Sequence, residues 1–152
     1  MEKNYEATIS QLKEMGLLLE KDNYVFCKYA QPVTLGATLF GALSGVMTVE
    51  WSHVDYLMAA NEDEIKIFYI TKKTGDFTNE YIVLTKKDID KIACKKYLFG
   101  NRTIVLRSKQ IKPNIDFWTC NVFKKFDQAE QKAVFVEFLK ANFVGQVSKN
   151  AV

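Results

Sequence analysis

The chain has 152 residues, 48% of them hydrophobic and 13% aromatic, with only two prolines; that content suits one packed core and excludes a disordered or low-complexity chain. Its formal net charge of +3, from 21 basic and 18 acidic residues, is too small for the electrostatic footprint of a nucleic-acid binder. The three widely spaced cysteines, Cys27, Cys94 and Cys120, argue against a disulfide framework and against a Cys-x-x-Cys metal site, and each reads as a small hydrophobe in an apolar-alternating stretch. Met1 to Lys13 lacks the apolar stretch of a secretory signal, so the expectation is a cytoplasmic protein with 1–152 as one domain.

In chain order, Tyr5, Ile9 and Leu12 recur at helical spacing and Gly16 follows as a stop, which predicts a short N-terminal helix within 1–16. Residues 23–30 alternate Tyr24, Phe26 and Lys28 with Val25, Cys27 and Tyr29 ahead of Pro32, a first strand. The run 33–49 carries no charge and holds Gly36, Gly41 and Gly45 among Leu35, Leu39, Phe40 and Leu43. It is shorter than the ~20 apolar residues of a membrane-spanning helix, so it reads as an apolar insertion in a strand-rich unit covering 23–123. Each glycine weakens a helix by about 1 kcal/mol relative to alanine, so the run predicts a bend or a close backbone approach.

Segments 54–60 and 64–71 alternate about the turn Asn61, Glu62 and Asp63, a hairpin. A further strand is predicted over 77–85, with Tyr81 and Val83 on one face and Glu80, Ile82 and Leu84 on the other. A second hairpin follows from 88–97 and 102–108 across Gly100-Asn101, and 115–123 reads as a seventh strand. Asp127 with Glu130 three residues later has the form of a capping box, and Phe135, Val136, Leu139 and Phe143 form an apolar stripe, so a C-terminal helix is predicted over 127–144. The expected fold class is α+β, with about seven antiparallel strands between a short N-terminal and a C-terminal helix.

Catalysis needs a nucleophile, a base and an orienting group, or a metal cage. The chain has one histidine, His53, and no spacing ties it to a cysteine. Glu62, Asp63 and Glu64 lack the spacing of a calcium loop, and Asp88 and Asp90 flank Ile89 as exposed alternates. Gly36, Gly41 and Gly45 are not followed by the Lys-Ser or Lys-Thr of a phosphate loop. No catalytic residue, metal or cofactor is therefore expected. Lysine pairs at Lys72-Lys73, Lys86-Lys87, Lys95-Lys96 and Lys124-Lys125 fall at strand ends, where they guard edges and aid solubility or line a rim that attracts anions. Arg102 and Arg107 are the only arginines, so nucleic acid is not expected as a partner.

This order of elements resembles the bacterial pleckstrin-homology-like (PH-like) domains, most clearly over 85–143. Lys86 to Ile92 is similar to the family's polar-x-Ile-x-x-Ile bend, Gly100 to Leu106 to its Gly-turn-strand, and Phe117 to Leu139 to its last strand and closing helix. The resemblance implies two antiparallel sheets forming a partly open barrel with the C-terminal helix plugging one end. Two departures stand out: the closing helix has phenylalanines where eukaryotic members have a tryptophan, and the uncharged 33–49 run replaces their basic phosphoinositide-binding loop. The first functional reading is a non-catalytic interaction module that binds a protein partner or itself through a sheet edge or the insertion. The second is a peripheral membrane or lipid-binding domain whose insertion enters the interface beside turn lysines. A third is a hydrolase using a cysteine and His53. The candidate binding residues are Leu35, Leu39, Phe40, Leu43, Lys72, Lys73, Lys95 and Lys96.

Overall fold

The computed structural model describes residues 4–30, 54–96, 100–111 and 116–143; Leu35, Leu39, Phe40, Leu43 and His53 lie outside them. Asn4 opens the first helix, its side-chain oxygen accepting from the Ala7 N–H at 3.0 Å, and α1 runs Tyr5–Glu14. Gly16, at φ 73°, takes the left-handed conformation that ends the helix. Tyr5, Thr8, Ile9 and Leu12 are buried, the one-faced pattern expected of an amphipathic helix lying on a sheet.

That sheet contains β1 (Asn23–Ala30), β2 (Val54–Ala60), β3 (Glu64–Thr71), β4 (Phe77–Thr85), β5 (Lys91–Lys96), β6 (Arg102–Arg107) and β7 (Asp116–Thr119), in the order β4-β3-β2-β1-β7-β6-β5. Every pairing is antiparallel. A 3-10 turn, Lys86–Asp88, joins β4 to β5, and a small hairpin, β8 (Val122–Phe123) with β9 (Phe126–Asp127), precedes α2 (Ala129–Asn142). β1 serves both halves, since Asn23 to Cys27 pair with β2 while Lys28 to Ala30 pair with β7. Among the described residues the sheet is open, with β4 and β5 as its edges.

The alternation along the strands sorts side chains into two cores. On the inner face Val25, Cys27, Met58, Ile67, Ile92, Ile104 and Phe117 meet Phe135, Leu139 and Phe143 of α2 and its C-terminal cap. On the outer face Phe26, Leu57, Phe68, Ile70 and Phe77 meet Tyr5, Ile9 and Leu12 of α1. Because helices cover both faces, β2 is buried from Asp55 to Ala60 without the polar-out alternation of a half-exposed strand.

Lys66 and Asp22 form a buried ion pair in the outer layer. Lys66, on the outer face of β3, donates to Asp22 at 2.9 Å and to the Leu17 carbonyl at 3.0 Å. Asp22 also accepts from Asn61 Nδ2 and from the Leu19 N–H, each at 2.7 Å. Burial raises the Asp22 carboxyl, but the hydrogen bonds from Lys66, Asn61 and Leu19 outweigh it and the net shift is downward. This network pins the α1–β1 connection to the β2–β3 hairpin, and it makes Asn61 a buried residue in a turn that reads as solvated.

The predicted seventh strand 115–123 is divided. β7 stops at Thr119, and Gln128 takes over its pairing with β1: Gln128 Oε1 accepts from the Phe26 N–H at 2.8 Å, while Nε2 donates to the carbonyls of Phe26 and Cys120 and to Thr119 Oγ1. A side-chain amide here stands in for a peptide group in the ladder. The expected capping box is absent for the same reason. Gln128 is the N-cap of α2 with its side chain committed to β1, and Asp127, in β9, accepts from the Ala129 N–H at 3.1 Å. We expect Gln128→Ala to lower the unfolding free energy by about 1–3 kcal/mol, since it leaves the Phe26 N–H buried without an acceptor; a urea titration measures this, and Gln128→Glu restores the acceptor but not the donors.

Candidate interaction surface

The strand register places the sequence-predicted lysines apart. Lys72 and Lys73 turn the chain between β3 and β4, next to Thr71, which pairs with Val54 at the start of β2. Lys95 and Lys96 end β5 opposite Thr103 and Arg102, the strand end away from the β6–β7 connection. The two pairs therefore lie at different strand ends of the two halves, and no single rim collects them. Lys73, Lys95 and Lys96 are exposed and Lys72 is half-buried.

Two other lysine pairs have structural duties that the sequence reading missed. Lys86 lies over the Phe143 ring, 5.2 Å from its centroid, at the C-terminus of α2. Lys124 turns inward to form an ion pair with the fully buried Asp55, and its ammonium sits 5.5 Å from the Phe123 ring centroid. Lys124 and Lys125 both have positive φ, 49° and 75°, a strained two-residue turn held by Phe123 and Phe126 packing on Tyr5 and Phe26. Burial, and then the Asp55 charge, push the Tyr5 phenol well above its ordinary range. Asp88 is likewise a structural group: its carboxylate accepts from the Thr85 N–H and hydroxyl at 2.9 Å each, and these bonds hold it below the usual carboxylate range.

Burial likewise pushes up the thiols of Cys27, Cys94 and Cys120, all three free. Among the described residues no group of three His, Cys, Asp or Glu side chains could hold a metal ion. No helix among them is long and apolar enough to cross a membrane.

What the fold does assemble is an uneven pair of sheet edges. β5 carries exposed Lys91, Lys95 and Lys96 along its short edge, charges that oppose pairing with another chain. β4 has one charged residue, Glu80, and presents Tyr81 at 44% and Val83 at 36% exposure. An irregularity where Asn79 adopts φ 70°, with a register shift between Phe68 and Ile70, confines distortion to the first half of β4. Beyond it, Tyr81 to Thr85 pair regularly with Phe68 to Glu64.

The outer face beside this edge is apolar. Tyr81 packs on Phe68 at 5.6 Å between ring centroids. Val83 pairs with Lys66, whose ammonium reaches the Leu17 carbonyl, so the register brings the turn after α1 alongside. That turn exposes Met15 at 48% and Leu19 at 38%. With Tyr81 and Val83 these are four of the six exposed large hydrophobic residues among the described ones, the others being Val122 and Val134, so the exposed apolar surface of the described residues concentrates at one edge.

The geometry defines an α+β domain with an open seven-stranded antiparallel sheet, α1 on its outer face and α2 on its inner face. No family model and no curated protein sequence matches the chain. Among solved structures it is similar to "The hSac2 domain from human phosphoinositide phosphatase Sac2", with a TM-score of 0.48 and 16% sequence identity over 97% of this chain and 88% of that one.

Proposed function

We propose that the chain is a non-catalytic interaction module of PH-like architecture whose docking element is the β4 edge, and that it binds a protein partner or itself. The observation that carries this reading is the contrast between the two edges, one guarded by Lys91, Lys95 and Lys96, the other uncharged but for Glu80 and flanked by Tyr81, Val83, Met15 and Leu19. The PH-like assignment is supported by β1 being shared between a four-strand and a three-strand half, with α2 packed on the inner face. A strand added along β4 would satisfy its outward backbone groups, and alternate side chains on the outer face would supply apolar contact.

The test compares the full chain with Val83→Glu, which places a second acid on β4 beside Lys66. Solution mass and the set of proteins retained on the immobilised chain are read for both, with anionic vesicles as a separate arm. Association lost in the variant, with an unchanged melting temperature, is the expected result. Identical mass and identical retained proteins for the two chains overturn the reading, as does binding to vesicles alone.

A further inference from the structure

We infer that the occupant of the β4 edge is a second copy of this chain, the two β4 strands pairing antiparallel across a twofold axis so that two open sheets become one; this rests on the interaction-module reading above. Twofold antiparallel pairing requires that some residue face its own copy, because hydrogen-bonded and non-hydrogen-bonded pairs alternate along the ladder. The regular part of β4 offers Tyr81, Ile82 or Val83 for that position. Glu80, the only charge in the strand, then faces Ile82, Leu84 or Lys86 of the other copy, so no acid meets an acid in any of the three registers.

The symmetry also disposes of the exposed apolar surface. A twofold axis perpendicular to the joined sheet leaves the outer faces of both copies on the same side, so Tyr81, Val83, Met15 and Leu19 of one copy flank the same residues of the other. A second copy thus meets an edge and a patch that match its own, as a self-complementary interface requires. The β5 edge is less suited to this pairing, since it carries three lysines in six residues and, with Ala93 on the axis, Lys91 would face Lys95 of the other copy.

Sedimentation velocity on the full chain, from low to high micromolar concentration, tests the pairing. The wild type is expected to pass from monomer to dimer, and Val83→Glu to remain monomeric throughout. The double variant Tyr81→Cys/Val83→Cys, which sets a cysteine opposite a cysteine in each of the three registers, is expected on gentle oxidation to yield a disulfide dimer well above the level that wild-type Cys27, Cys94 and Cys120 produce; it carries the test if Val83→Glu fails to fold. A wild type that stays monomeric, a Val83→Glu chain that dimerises equally, or a double cysteine variant that cross-links no more than wild type each overturn the self-pairing. A monomeric wild type that retains a partner which Val83→Glu loses overturns the self-pairing alone and leaves the interaction module standing.

Discussion

Asp22→Ala is expected to lower the unfolding free energy by about 3–5 kcal/mol, because removing one member of a buried ion pair leaves the other charge sealed from water. Lys66 keeps the Leu17 carbonyl and has Glu64 at 3.7 Å, so the loss should fall toward the lower end. Asn61 Nδ2 and the Leu19 N–H lose their acceptor in the same step. Asp22→Asn separates charge from shape: it retains an oxygen for one donor and should cost less. Equilibrium urea unfolding measures both variants, and an Asp22→Ala loss below 1 kcal/mol would show that the network contributes little.

The same carboxylate gives a pH dependence of defined sign. The Asp22 carboxyl is held below its unfolded-state value, so its contribution is fully present above the unfolded pKa of about 3.9 and is lost as pH falls through the lower folded value. Wild-type stability should therefore fall in acid more steeply than that of Asp22→Asn, and the two curves should converge as the carboxyl protonates.

Phe135→Ala is the second large effect, with an expected loss of about 3–5 kcal/mol. Phe135 is fully buried and belongs to the inner core, where Leu139 and Phe143 lie on the same face of α2. Phe138, only partly buried against that core, provides the internal comparison, and its alanine variant should cost distinctly less. If Phe135→Ala and Phe138→Ala unfold at the same urea concentration, the inner layer is not organised by the α2 stripe. A total stability of roughly 5–15 kcal/mol is usual for a domain, so the Phe135 loss is a large fraction of the whole.

Much of the fold was legible because it follows from local patterns. The spacing of Tyr5, Ile9 and Leu12, with Gly16 beyond, defines α1 and its buried face, and the alternation over 23–30, 54–60, 64–71 and 77–85 coincides with β1 to β4. The stripe Phe135, Val136, Leu139 and Phe143 is buried as its period implies. Local pattern misled where a distant partner decided the outcome. Residues 115–123 have continuous strand propensity, yet β7 ends at Thr119 because Gln128 supplies the amide that completes the ladder at Phe26. The capping box at Asp127 and Glu130 failed through that same commitment.

The candidate surface shows the boundary most clearly. Sequence alone determined that Tyr81 and Val83 share one strand face and that lysines cluster at strand ends, since both facts depend on period and neighbours. Only the tertiary structure decided which strands are edges, because edge position depends on pairing between residues far apart in sequence, as when Lys28 to Ala30 pair with Trp118 to Asp116 to join the two halves. It likewise decided that Lys66 and Asp55 are interior charges and that Lys124 points inward, since α1 and the β8–β9 hairpin close over an outer face that the strand pattern by itself leaves open.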